Sequence, residues 1–166
     1  YSRQYYLFVK RRRKMEYNLV IGEKELLELI NNSSLALKYV TNQTPELCLA
    51  AVRRNGYALK YVYNQTKEIC LEAVRQNGLA LKYVHNQTED ICFEAVKNNG
   101  LALEFVFNQT PEICLAAVKE SGDSLQYVIN QTPHICTEAV KQDDWALRFI
   151  RDKDLFEKLS SQYSKC

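Results

Sequence analysis

Apolar residues follow a fixed cadence along most of this chain. From Asn42 it reads NQTPELCLAAVRRNGYALKYVY, in which Leu47, Cys48, Ala51 and Val52 stand at i, i+1, i+4 and i+5. That spacing is one stripe of a helix with 3.6 residues per turn. The same pattern returns from Asn64, Asn86, Asn108 and Asn130, each start 22 residues after the one before. Beyond Asn55-Gly56 a second apolar set recurs, Ala58, Leu59, Tyr61 and Val62 in the first full copy. Its six or seven residues make a short second helix of about two turns, which needs neighbours to be stable.

Local chemistry marks the ends of the first helix. Thr44, Thr66, Thr88, Thr110 and Thr132 can each accept a hydrogen bond from an orphan N–H of the first turn. Pro45, Pro111 and Pro133 occupy the first helical position, where a missing N–H does no harm. Glu46, Glu68, Asp90 and Glu112 come next, beside the positive end of the helix dipole. Asn55-Gly56, Asn77-Gly78 and Asn99-Gly100 read as stop signals in the left-handed conformation. The first helix is therefore predicted over 45–54. The segment LALKYVY also suits a strand, and leucine-rich repeats have periods in this range. Their leucine signature is missing, and the Ala-rich AAV and EAV segments favour helix pairs.

The expectation is an all-α protein, an α-solenoid of short helix pairs with a 22-residue repeat. Leu35-Ala36-Leu37-Lys38-Tyr39-Val40 matches the second helix, and Glu25 to Ile30 stands where the first should be. This places a degenerate, capping copy before the five regular ones. Residues 20–151 then form six helix pairs, 1–19 a basic and aromatic extension, and 152–166 a capping helix and tail. Atypical terminal units close a solenoid core against water.

Charge is uneven. Residues 1–15 hold Arg3, Lys10, Arg11, Arg12, Arg13 and Lys14 and no acid; removing these six from the 22 Lys and Arg leaves 16 against 20 Asp and Glu. Residues 16–166 are thus net −4 while the whole chain is +2, and a nucleic-acid-binding solenoid would carry its basic excess in the repeats. The apolar runs are far shorter than the roughly 18 residues of a membrane span. No apolar core and cleavage site follow the basic run, so no signal peptide is expected.

Little in the repeats suggests catalysis or a cofactor, and neither is expected. Cys48, Cys70, Cys92, Cys114 and Cys136 share one repeat position. Stacked helices lie roughly 8–10 Å apart, beyond the about 7 Å that a disulfide spans between Cα atoms. With no ligand pairs two to four residues apart, zinc is not favoured either. Buried small side chains in a reducing, cytoplasmic compartment are the simpler reading. Asn-Gln-Thr is formally a glycosylation sequon, but three copies precede Pro. A structural role is favoured, with Asn and Gln satisfying backbone groups at the turn. Arg53, Arg75, Lys97, Lys119 and Lys141 form a basic column at the helix C-terminus. Glu72, Glu94 and Glu138 stand three residues before Arg75, Lys97 and Lys141, within helical pairing range. His85 and His134 occupy different repeat positions and do not suggest one site.

The recurring AVRRNGYALKYV, AVRQNGLALKYV and AVKNNGLALEFV resemble the tandem AVKxNGxAL repeats of a family of unknown function found in giant amoeba viruses and some bacteria. The likeness covers 42–151 well and 20–41 weakly. It implies helical pairs and a viral protein made in the host cytoplasm, and it carries over no catalytic residues.

Candidate contacts are the residues that change from copy to copy. After the Gly these are Tyr57, Leu79, Leu101, Asp123 and Trp145; before the Asn they are Tyr63, His85, Phe107, Ile129 and Arg151. Varied aromatic and charged residues at fixed spacing suit a protein-binding strip, although filling of inter-repeat space competes with that reading. Lys10, Arg11, Arg12, Arg13 and Lys14 are candidate nucleic-acid contacts. A structural role through end-to-end assembly is the third alternative.

Overall fold

The computed structural model describes residues 22–163. Six pairs follow one another, each an α-helix and then a 3₁₀ helix: α1 Glu23–Asn32 and η1 Ser34–Tyr39, α2 Pro45–Arg54 and η2 Gly56–Tyr61, α3 Lys67–Gln76 and η3 Gly78–Tyr83. Next come α4 Glu89–Asn98 and η4 Gly100–Phe105, α5 Pro111–Glu120 and η5 Gly122–Tyr127, and α6 Pro133–Gln142 and η6 Asp144–Phe149. A last helix, α7, spans Lys153–Tyr163. Each pair packs on the pair before and after it and on nothing further away. The fold is an all-α solenoid. The extension over 1–19, with Lys10, Arg11, Arg12, Arg13 and Lys14, lies outside the described residues.

The predicted start of the α-helices is seen in atomic terms. Thr44, Thr66, Thr110 and Thr132 accept from the backbone N–H three residues on, whereas Thr88 caps α4 without a side-chain bond. Each regular α-helix buries its Leu or Ile, Cys, Ala and Val, for instance Ile69, Cys70, Ala73 and Val74. The second helix differs from the expectation by being 3₁₀. Gly56, Leu59 and Val62 are buried at intervals of three, the spacing that a three-residue turn aligns on one face. Six-residue 3₁₀ runs are longer than usual. Here Asn55, Asn77 and Asn99 cap η2, η3 and η4 and Asp143 caps η6, each accepting from the N–H two residues on.

The glycines also play another part than expected. Asn55 and Asn77 at the ends of α2 and α3 are extended, with φ −155° and −154°, and the glycines that follow show no left-handed backbone. Their missing side chain matters for close approach. A Cβ on Gly56, Gly78, Gly100 or Gly122 would lie 2.4, 2.3, 2.4 and 2.8 Å from the carbonyl oxygen of Ala73, Ala95, Ala117 and Ala139 in the next repeat. The glycine N–H is used there too. Those of Gly56, Gly78 and Gly122 donate, each at 2.6 Å, to the side-chain amides of Gln76, Asn98 and Gln142.

Candidate functional site

The linker between repeats organises the surface. Gln43, Gln65, Gln87, Gln109 and Gln131 each extend an amide from the start of their 22-residue unit to the exit of the 3₁₀ helix at its far end. Nε2 donates to the carbonyls of Tyr61, Tyr83, Phe105, Tyr127 and Phe149 at 2.8–2.9 Å. Oε1 accepts from the N–H of Tyr63, His85, Phe107, Ile129 and Arg151 at 2.9–3.1 Å. One side chain therefore clamps two backbone groups on either side of the 3₁₀ exit, 18 and 20 residues downstream.

That clamp holds one column of candidate contacts. Tyr63, Phe107 and Ile129 are 65%, 71% and 61% exposed, and His85 and Arg151 are exposed beside them in the same register. Their backbone is fixed while the side chains of Tyr63, His85, Phe107 and Ile129 face solvent and the Arg151 guanidinium folds back to donate to Ile129 O at 3.1 Å and Gln126 O at 3.5 Å. The column after the glycine is placed differently. Tyr57, Leu79, Leu101 and Asp123 are half-buried. Tyr57 meets Tyr83 of the next repeat edge-on, with centroids 6.0 Å apart, and Asp123 pairs with Arg148 at 3.2 Å. Close stacking of successive 3₁₀ helices packs Tyr57 and Leu79 against the core. Trp145 is the exception, 68% exposed with the Arg148 guanidinium 5.6 Å from its ring centroid.

Three overlapping segments, 44–88, 66–109 and 88–132, match one family model, the domain of unknown function DUF4116. The matches advance one repeat at a time and together span 44–132 of the 166 residues. The chain belongs to the DUF4116 family. Comparison with curated proteins gave no match, nor did comparison with solved structures.

Within the DUF4116 array, the basic column joins neighbouring repeats. Arg53 bonds Glu72 at 3.1 Å and Arg75 bonds Glu94 at 2.9 Å, so these acids reach back across a junction instead of pairing within their own helix. Glu138 does both, meeting Lys141 at 2.8 Å and Lys119 at 3.8 Å. Its hydrogen bond to Lys141 holds its carboxyl below the usual range. Lys97 faces Phe93 in its own helix. The next repeat offers Ala116 where others have Glu. Such exposed pairs are screened by water and contribute little, aligning the helices more than they hold them.

The DUF4116 cysteine column is buried and free. Each thiol points at the clamp: Sγ of Cys48, Cys70, Cys92, Cys114 and Cys136 lies 3.4–3.9 Å from Oε1 of the Gln five residues earlier. Burial pushes all five thiols up, Cys92 to about 11 from 9.0. The unfolded chain therefore loses these protons first. Stability should be full below pH 9 and should fall as pH rises towards 11. Denaturant melts at pH 8 and about 10.5 check this. In a variant with all five replaced by Ala, the pH-dependent part of the loss should shrink markedly, and an unchanged loss would place its origin elsewhere.

His85 and His134 are both exposed and belong to different surfaces, one in the contact column and one in the first turn of α6. Among the described residues no group of three or more His, Cys, Asp or Glu is placed to hold a metal ion. No helix among them is long and apolar enough to cross a membrane.

Proposed function

We propose that this DUF4116 array is a non-enzymatic scaffold that presents its exposed column to another protein. One observation carries the reading. The residues that vary between repeats and stay exposed, Tyr63, His85, Phe107, Ile129 and Arg151, are mounted on backbone that invariant glutamines fix. A rigid backbone lowers the entropy that binding must overcome, and aromatic residues and Arg dominate binding hot spots. The buried free thiols suit a reducing compartment such as the cytoplasm, consistent with the resemblance to viral proteins made there.

Affinity capture from cell lysate tests the proposal. Phe107→Ala with Trp145→Ala should remove the captured protein, with a melting temperature shifted by less than about 2 °C, because exposed substitutions typically change stability by under about 0.5 kcal/mol. Undiminished capture by the double variant would sink it. Nuclease-sensitive capture that vanishes when residues 1–15 are removed would instead assign the function to the basic segment Lys10, Arg11, Arg12, Arg13 and Lys14 and make the repeats a spacer.

A further inference from the structure

One recurring side chain has no bonding part in the fold. Each Asn-Gln-Thr linker uses its Gln to clamp the exit of the following 3₁₀ helix and, in four copies of five, its Thr as a side-chain cap. Asn42, Asn64, Asn86, Asn108 and Asn130 are exposed in every copy, and the hydrogen bonds of the described residues include none from their side chains. Where the same place falls to Asp152, the side chain is occupied, accepting from Leu155 N–H at 2.9 Å as the cap of α7. Five amides thus stand in a row beside the exposed column, one per repeat. Asn108 and Phe107 line the wall of a groove of about 250 Å³ with Thr88 and Ile113.

A carboxamide offers an acceptor and two donors on one small plane, matching the N–H and C=O of a peptide backbone. Taken as the general step between packed helices, the spacing of the rows selects the backbone conformation. Packed helices lie about 8–10 Å apart. A polyproline II chain rises about 3.1 Å per residue with three residues per turn, so it returns the same face every ~9.3 Å. A β-strand repeats its face every ~6.6 Å; three strand residues span the step but present opposite faces to successive rows. Polyproline II also leaves its own backbone groups without internal hydrogen bonds, and its proline rings dock on aromatic side chains such as Tyr63 and Phe107.

We infer that the asparagine column reads the main chain of an extended partner segment in polyproline II conformation, one turn of the segment per repeat. This rests on the protein-binding reading above and names the kind of partner it fits. The exposed aromatic and aliphatic neighbours would contact the side chain that faces each row.

The test uses two synthetic fluorescent peptides of equal length with the full chain. In a Leu-Pro-Pro repeat, an N–H recurs every third residue, in step with the asparagines; in an alternating Leu-Pro repeat it recurs every second. Fluorescence anisotropy should show the Leu-Pro-Pro peptide bound at least tenfold more tightly. Asn64→Gly, Asn86→Gly and Asn108→Gly together should weaken it at least tenfold with little change in melting temperature, because glycine keeps any turn preference of Asn while removing the amide. If that triple variant folds poorly, Asn86→Asp, which keeps the shape and loses the donors, should still weaken binding severalfold. Equal affinity for the two peptides, or full affinity in whichever Asn variant folds, would overturn the inference. Protein capture lost in Phe107→Ala with Trp145→Ala but insensitive to the Asn variants would leave the scaffold reading standing and remove only this one.

Discussion

Gly78→Ala is expected to cost about 2–3 kcal/mol, in the range of overpacked cores, and to lower the melting temperature by about 5–10 °C for a chain of this size. The added Cβ would sit 2.3 Å from the Ala95 carbonyl oxygen and 3.0 Å from Asn99 Cβ, in the next repeat. Both belong to a buried helix end, so relief requires the two repeats to part. The chain carries its own comparisons. Asp144 stands in the equivalent place before α7 and is exposed, and Ser34 stands there at the first junction, where η1 and η2 are joined more loosely than later pairs. A parallel Gly78→Asn variant separates clash from turn geometry, since Asn tolerates a left-handed backbone. It should melt no higher than Gly78→Ala. A melting curve of Gly78→Ala that overlays the parent would refute the close-approach account.

Gln65→Leu should be comparably damaging, by about 2–4 kcal/mol, because it strips partners from buried or half-buried backbone groups while filling similar space. The amide serves Tyr83 O at 2.9 Å, His85 N at 3.0 Å and, more weakly, Leu59 O at 3.4 Å. Cys70 Sγ lies 3.8 Å from the same Oε1. Tyr83, His85 and Cys70 belong to the same 22-residue unit as Gln65 and Leu59 to the unit before, so the loss falls on the seam between η2 and η3. In an array of nearest-neighbour contacts a weak junction can uncouple the two sides. The expected melt is broader or splits in two, with a lower first midpoint. Circular dichroism followed by hydrogen exchange would show the amides of one side opening first. A single transition at the parent's midpoint would mean that the clamp contributes nothing measurable.

How much of this was legible depends on the distance over which each feature is specified. Thr44, Pro45 and Glu46 act within one helical turn, and the predicted 45–54 helix matches Pro45–Arg54. The repeat itself is a pattern of identity and needs no geometry. The character of the second helix was half visible: Gly56, Leu59 and Val62 recur at intervals of three, but the reading weighted Ala58, Leu59, Tyr61 and Val62. What Gly78, Gln65 and Glu72 do depends on atoms some 17–20 residues away, Ala95 O, Tyr83 O, His85 N and Arg53 Nε. Their partners follow from how separate elements are set against one another, which residue spacing within a helix does not contain. Only the Gln left a trace, as a polar residue unchanged in all five linkers. The same gap merged two columns of candidate contacts into one strip, because burial of Tyr57, Leu79, Leu101 and Asp123 is decided by the neighbouring 3₁₀ helix.

Because the four inner junctions repeat the same Gly and helix-end carbonyl, and each regular unit the same Gln, the array carries no internal address. A unit cut out or copied in whole, from one Asn-Gln-Thr to the next, leaves joints chemically like those it replaces. In-frame duplication by recombination between near-identical stretches of coding sequence would therefore lengthen the molecule without requiring a new fold. Length becomes a trait that selection can adjust in fixed steps. Each added step would also add one exposed side chain free to drift, so the same event that extends the body writes another letter on its surface.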